Sequence, residues 1–447
     1  MKDYLQKKTS AAGLSGKKIL VLGGSPKELI DPVRHYANHG RDEAHGAQVA
    51  EALAKLGAEV TLVTAKTHAK NSQQVKTIST IFNRSPIISS DALIHAAALE
   101  GLAQDFDAVV NLANIAAIRP KVFSDKKLKV KKETGSLRAM EVVGNLDVEQ
   151  QLAKHFPKAK TIAGYNNQQQ WFVRGDATLA RTLQAISDQH KTTPIVPAIQ
   201  KAPQIIPTSG KLAGRKIIIT SGPTAEPVSA TSDVITNFSS GKQGQAIADA
   251  LAKMGALVTL VSGPTYLPDP AHPNIRIVHV DSALAMRDAS IEALPADAFI
   301  GVAAVADFGM HQPPPLALKE GETHTLRLSQ NPDILQAMGT HASRRPTVVV
   351  GFAAETHDLI HYAEGKLKKK GADFICANQV GDEMVKRGSN VNKITLVTRD
   401  GNEELPEMTK DQVGEAIGER IAMLLLKSKP VKPLDVTDSP ATAGAGH

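Results

Sequence analysis

Ala52-Leu-Ala-Lys-Leu-Gly-Ala-Glu-Val-Thr-Leu-Val63 returns as Ala250-Leu-Ala-Lys-Met-Gly-Ala-Leu-Val-Thr-Leu-Val261, and this recurrence decides how the chain is read. Each copy runs from the end of an apolar-periodic helix through a Gly stop into a short β-branched run, the signature of a buried strand. Upstream, Gly16-Lys-Lys-Ile-Leu-Val21 matches Gly214-Arg-Lys-Ile-Ile-Ile219. Downstream, Asp107-Ala-Val-Val110 pairs with Asp297-Ala-Phe-Ile300, and Asn145-Leu-Asp147 with Asn331-Pro-Asp333. Matches in order over such a span indicate a duplicated domain rather than solenoid units.

The pattern around these anchors is α/β. Short apolar runs at 217–220, 258–261, 298–302, 347–350, 374–376 and 394–397 alternate with helical stretches at 245–251, 332–338, 357–369 and 412–426. Strands alternating with helices predict a mostly parallel sheet with helices on both faces. The expected fold is two tandem Rossmann-like domains forming a pseudo-dimer. Residues 1–15 read as an N-terminal arm, 16–191 as a first, degenerate domain and 192–213 as a Pro-rich linker. Residues 214–427 read as the domain carrying the main site, and 428–447 as a disordered tail.

Composition narrows the function. A chain of 447 residues, 42% hydrophobic and 22% charged, has the balance of an ordinary globular protein. No apolar run approaches the ~18 residues of a membrane span. The N-terminus lacks the apolar region of a secretory signal. A single cysteine, Cys376, fits a reducing cytoplasm, and its strand-like setting predicts an inert core thiol. The net charge of +7 permits an anionic partner, but aromatics are only 4% and no nucleic-acid-binding motif is present. Lysines instead gather at 126–132 and 366–370, which suits a small polyanion, or else two solvated charged faces.

The second half carries the chemistry. Ser221-Gly-Pro-Thr224 follows a strand, and Asn237-Phe-Ser-Ser-Gly-Lys-Gln-Gly244 opens a helix. Gly222, Pro223 and Thr224, then Ser239, Ser240, Gly241 and Lys242, surround a helix N-terminus suited to an anion. The glycine spacing is neither the dinucleotide fingerprint nor a Walker loop. Ala303-Ala-Val-Ala-Asp307 ends a strand with small residues and then a carboxylate, at the sheet edge where ligands bind in such folds. Asn331-Pro-Asp-Ile334 reads as a helix start, with Pro at the first helical position. Gly351-Phe-Ala-Ala-Glu-Thr356 again ends a strand with small residues and an acid. Lys366 and Lys370 lie one helical turn apart, placed to grip a phosphate.

The ordered set GPT, NxSSGK, AAVAD, NPDIL, GFAAET, KLxxK and AN, over roughly residues 214–426, resembles the phosphopantothenate–cysteine ligase family. The resemblance implies that 4′-phosphopantothenate is activated by a nucleotide triphosphate (CTP, or ATP) with Mg2+. Cysteine then displaces the nucleotide monophosphate. It implies that Asn237 holds the acyl group and that Ala303, Ala304 and Asp307 line the acyl-nucleotidylate pocket. Lys366 and Lys370 would contact the triphosphate. Gly222, Pro223, Thr224, Ser239, Ser240, Gly241, Lys242, Asn331, Asp333, Ile334, Phe352, Ala353 and Asn378 would complete the substrate and nucleotide pocket. No metal ligand set by side chains alone is implied. The Ser-Gly-Pro-Thr start looks bacterial and favours CTP.

Two family features are missing from this half. Asp233 stands where the family carries Arg, four residues before the active-site Asn. Lys319 is the only basic residue where a KxKK strip belongs. The first half keeps both: Arg34 stands four residues before Asn38, and Lys129, Lys131 and Lys132 form KVKK. In turn Ala117 replaces Asp307, Asn114 replaces Ala304, and no KLxxK follows residue 164. Relatives in the family are homodimers with an Arg reaching the neighbouring site. The expectation is therefore one composite site, its pocket after Gly214 and its Arg34, Lys131 and Lys132 from the first half. The bland alternative keeps the first half as scaffold only.

His35, His39 and His45 resemble metal-ligand spacing, but no fourth ligand is evident on what reads as a loop. Small-molecule partners are expected, with no nucleic acid and no membrane. The chain is expected to be a monomeric pseudo-dimer, with further association possible. A phosphopantothenate- or nucleotide-binding regulatory pseudoenzyme is the alternative, to which Asp233 lends mild support. A nicotinamide oxidoreductase lacks its glycine fingerprint.

Overall fold

A computed structural model of the protein describes residues 14–38, 45–65, 75–79, 89–124, 139–165, 171–175, 209–230, 233–265, 267–310, 312–355, 358–379 and 390–426. Nearly all of the N-terminal arm and of the Pro-rich linker, His39, the strip holding Lys131 and Lys132, and the C-terminal tail lie outside them.

The β-branched runs form two large sheets. In the first half the spatial order is Trp171–Arg174, Thr161–Tyr165, Ala108–Asn111, Lys18–Gly23, Glu59–Thr64 and Val75–Ser79. In the second it is Ile275–His279, Leu257–Ser262, Lys216–Ser221, Ala298–Gly301, Val348–Glu355, Phe374–Gln379, Thr395–Thr398 and Asn402–Glu404. The recurring Lys18 and Lys216 strands are flanked by parallel neighbours in both. Alternation sorts their side chains between faces. Ile217 and Ile219 pack on the helices Lys242–Lys253 and Lys410–Leu425. Ile218 packs on the opposite face with Met286, Met338 and Leu367. Ile19 and Val21 meet Val49 and Leu53 on one side, and Leu20 and Leu22 meet Leu93 and Leu152 on the other. Helices on both faces of a mostly parallel sheet bear out the fold class in each half. Leu212 is fully buried in the second core, so that half takes in residues before Gly214. None of the described helices is long and apolar enough to cross a membrane.

The halves differ at one informative place. After Val348–Glu355 the second half crosses over through the helix Leu359–Lys370 to a parallel strand, Phe374–Gln379. After Thr161–Tyr165 the first half turns back into an antiparallel strand, Trp171–Arg174. A connection this short cannot hold a crossover helix. No counterpart of the helix Leu359–Lys370 therefore joins these two strands in the first half.

Two ladders join the halves. Arg34–Asn38 pairs antiparallel with Asp233–Asn237, in a sheet completed by Glu28–Leu29 and Ala225–Pro227. Thr323–Arg327 pairs antiparallel with Ala139–Gly144. The first ladder is centred on Tyr36–Ile235, with Arg34 opposite Asn237 and Asn38 opposite Asp233. Tyr36, Ile235, Met140 and Leu326 share one apolar cluster between the ladders, and Met140 and Leu326 are themselves a ladder pair. His35 thus lies on a strand, not a loop, and stacks on Phe238 at 4.3 Å between ring centroids.

Candidate functional site

The candidate site lies where the parallel strands of the second sheet end. A tight helix start forms its floor. Gly241 has φ +75°, a left-handed conformation that favours glycine, and precedes Lys242–Lys253 without a side-chain cap. Ser221 donates its hydroxyl to the Gly241 carbonyl at 3.0 Å. The helix presses so closely on Ser221 that a Cβ at Gly244 would fall 2.3 Å from its Oγ. The loop before the helix is thereby fixed against Ser221, the residue that leads into Gly222.

The segment Ala303–Asp307 is held carbonyl by carbonyl. The Ala304 amide donates to Gly222 O at 2.9 Å, and the Ala306 amide to Thr224 Oγ1 at 2.9 Å. Asn237 Nδ2 donates to the carbonyls of Ala304 (3.2 Å) and Val305 (3.0 Å). Asn331 gives its side-chain amide to Ala306 O and its backbone amide to Asp307 O, both at 2.9 Å. Asn237 Oδ1 is buried without a hydrogen-bond partner among the described residues. In this arrangement the spare atom of Asn237 is an acceptor. Donation to an acyl oxygen requires Nδ2 to leave one of these carbonyls.

Asp307 projects from this loop to a charge string that crosses the halves. Arg34 donates one guanidinium nitrogen to Asp307 and the other to Asp31 at 2.5 Å. Asp31 is set by a turn, accepting the amides of Val33 (2.8 Å) and Arg34 (2.9 Å). Burial of Arg34 opposes its charge, but the Asp307 and Asp31 carboxylates outweigh that and raise its pKa. Lys370 pairs with Asp333 and feels the field of Asp307. Burial lowers the Lys370 pKa, which the Asp307 charge partly resists. Lys366 meets Glu355 at 3.3 Å. Both lysines of the helix Leu359–Lys370 are thus held by acids of neighbouring segments, and a polyanion must displace Glu355 and Asp333 to take them.

The remaining sequence-derived candidates separate clearly. Ser239 and Ser240 form the turn into the helix, their hydroxyls accepting the Gly241 and Lys242 amides at 3.4 and 3.5 Å. Lys242 reaches Asn390 Oδ1 at 3.0 Å. Asn378 lies beside Ala354 at the strand end, and Phe352 is partly buried one strand across. Ile334 and Ala353 are buried in the core, so a ligand could meet them only through their backbone. The cap of the short helix Ile334–Gly339 is Asp333, accepting the Gln336 amide at 3.0 Å, not Asn331. Proline at 332 lies outside the helix and frees Asn331 to brace Ala306. Cys376 is fully buried and its thiol pKa is raised by burial, as expected of an inert core residue.

Several participants escaped the sequence reading. Asp31, three residues before Arg34, carried no mark in the sequence as its partner. Glu355 stood inside GFAAET with no sign that it holds Lys366. Lys27, from the first half, lies 5.3 Å above the Phe238 ring. No group of three or more metal-ligating side chains occurs among the described residues.

The other end of the inter-half ladder is reversed. Asp233 is fully buried and accepts the Ala117 amide on both oxygens, at 3.1 and 3.2 Å, and Asn38 Nδ2 at 3.4 Å. Burial pushes its pKa up to about 6 from an ordinary 3.8, against those hydrogen bonds. The folded protein therefore holds a proton that the unfolded chain releases between about pH 4 and 6. This contribution to stability is present at low pH and is lost as pH rises through that window. Asp233→Asn is expected to remove up to ~3 kcal/mol of slope. The check is the difference in unfolding free energy between the two proteins from pH 4 to 7; parallel curves would contradict it.

The description that matches the chain is the DNA/pantothenate metabolism flavoprotein C-terminal domain, at residues 14–180 and 212–425. The chain is 40% identical over 210 residues to the coenzyme A biosynthesis bifunctional protein CoaBC of Vibrio cholerae, covering 46% of this chain and 52% of that protein. The protein of that name from Escherichia coli K12 is 41% identical over 212 residues, covering 46% and 51%. The chain thus spans about half the length of the curated relatives it matches. A crystal structure of the C-terminal domain of a coenzyme A biosynthesis bifunctional protein CoaBC aligns with 37% identity and a TM-score of 0.41, over 49% of this chain and all of that one. With that description matched across both halves, the chain belongs to the family of the DNA/pantothenate metabolism flavoprotein C-terminal domain.

Proposed function

We propose that the chain is a phosphopantothenate–cysteine ligase, working through an acyl nucleotidylate at the strand ends of the second half. A 4′-phosphopantothenate carboxylate oxygen attacks the α-phosphorus of CTP, and the bond to pyrophosphate breaks. The cysteine amine then attacks the acyl carbon, the bond to CMP breaks, and the amine proton passes to water. Neither step needs a strong general base. Both need rigid orientation and positive charge where phosphate charge accumulates. Asn237 and Asn331 hold the Ala303–Asp307 loop rigid, while Lys366 and Lys370 supply charge once released from Glu355 and Asp333. Magnesium enters with the triphosphate as part of the substrate.

The observation that carries this reading is the gathering of Asn237, Asp307 and Lys370 around one loop, in a chain about 40% identical to the relatives over this half. The same reading makes the halves a pseudo-dimer with a composite site. It is supported by ladders built from corresponding strands and by Arg34 of the first half reaching Asp307 of the second. Lys131 and Lys132 belong to this proposal by sequence alone. The division into two domains is part of it too, with the second opening before Gly214.

The test is pyrophosphate release from CTP, and separately from ATP, on adding 4′-phosphopantothenate, followed by cysteine-dependent CMP release. Binding by calorimetry without pyrophosphate release would defeat the ligase and favour a regulatory binding protein. Faster release from ATP would overturn only the nucleotide assignment.

A further inference from the structure

We propose that Asp233 and Ala117 form a pairing code that fits the second half to the first and rejects a second copy of itself. The inference rests on the pseudo-dimer reading but not on the ligase chemistry. Ala117 occupies in the first half the place of Asp307 in the second. Asn145 donates its backbone amide to Ala117 O and its side chain to Ala116 O, as Asn331 does to Asp307 and Ala306. The next strands, Ile118–Pro120 and Phe308–Gly309, begin one residue later in each half. Arg34 and Asp233 likewise correspond, each standing opposite an asparagine of the other half.

One end of the ladder therefore carries Arg34 against Asp307, and the other carries Asp233 against the Ala117 amide. Both members of the second pair have changed together. Suppose two second halves met through Asp233–Asn237 in the same symmetric way. Each Asp233 would then reach the other copy's Asp307, placing two acids where an arginine and an acid now sit. Like charges facing each other, with Asp233 fully buried, reject that partner. Two first halves would instead bring Arg34 to Ala117, where no Asp307 equivalent receives it. Only the mixed pairing satisfies both ends. Ionised Asp233 lowers stability through its burial, and a stability cost is what a specificity device carries.

A double-mutant cycle in the full-length chain tests this. Asp233→Arg buries a cation beside Ala117, and Ala117→Asp buries a second acid beside Asp233. Each single change is expected to lower the melting midpoint by about 10 °C. The double variant recreates an Arg–Asp pair and is expected to regain at least half of the summed loss. Additive losses would overturn the proposal. Should the single variants fail to fold, the double variant decides: a folded double supports the code and an unfolded one overturns it. A second readout is association. Asp233→Arg makes the second half self-complementary, so sedimentation of variant and wild type side by side should show more concentration-dependent association in the variant; equal association counts against the code. Pyrophosphate release plays no part in these readouts, so the ligase assignment stands or falls separately.

Discussion

Replacing Arg34 by alanine is expected to cut turnover on the order of a hundredfold, in a protein destabilised by about 3–5 kcal/mol. The two losses have different origins. Arg34 bridges Asp31, which is fully buried, and Asp307 on the opposite half. Its removal strips the guanidinium from a desolvated carboxylate, and that is the stability loss. It also removes the one described first-half cation that touches the Ala303–Asp307 loop, and that is the catalytic loss. Pyrophosphate release measured well below the variant's melting transition separates them. Arg34→Lys sharpens the result, because a lysine keeps the charge but cannot bridge two carboxylates with a planar fork. Stability should partly return while turnover stays low. Wild-type turnover in folded Arg34→Ala would leave the first half as scaffold.

Asn237→Ala is expected to lower turnover by about 10²–10³ while costing only about 1–2 kcal/mol of stability, the net worth of two hydrogen bonds. The side chain ties the Ala304 and Val305 carbonyls and carries the buried spare Oδ1 at the loop. Truncation frees the loop and removes the only side-chain amide donated to those two carbonyls among the described residues. The effect should fall on kcat for nucleotidylate formation, read by single-turnover pyrophosphate release, more than on nucleotide KM. A fall of less than tenfold would remove Asn237 from the site. Asn237→Asp should be no better than alanine, since a carboxylate cannot donate to carbonyls and adds charge near Asp307.

Much of the architecture was legible because it depends on local periodicity. The run Lys216–Ser221 is rich in β-branched residues and sends alternate side chains into two buried faces, so both its strand state and its two-faced packing follow from side-chain geometry. Helix limits moved by a few residues, as at Lys242–Lys253, where Gly241 rather than a later residue opens the helix. Two of the site motifs, Ala303–Asp307 and Gly351–Thr356, were legible because each ends an apolar run with small residues and an acid. Their partners were not. Nothing local in Glu355 marks it as the anion that holds Lys366, and nothing in Asn331 shows that it braces Ala306 while Asp333 caps the helix. The absence of a KLxxK in the first half was readable as a missing motif; the antiparallel strand Trp171–Arg174, standing where the second half has a parallel one, was not.

The sequence by itself determined the repeated segments, the α/β class and the division of basic motifs between the two halves, since repetition and periodicity are properties of a linear chain. Only the tertiary structure decided which charges meet. Arg34 and Asp307 are separated by most of the chain, and Asp233 and Ala117 by more than a hundred residues. Antiparallel pairing of Arg34–Asn38 with Asp233–Asn237 brings each pair together at opposite ends of one ladder. Asp233 read as a mere loss of arginine becomes, there, the buried acceptor for the Ala117 amide. A residue's charge is written in the sequence, but its partner is fixed by the register of a ladder that only folding creates.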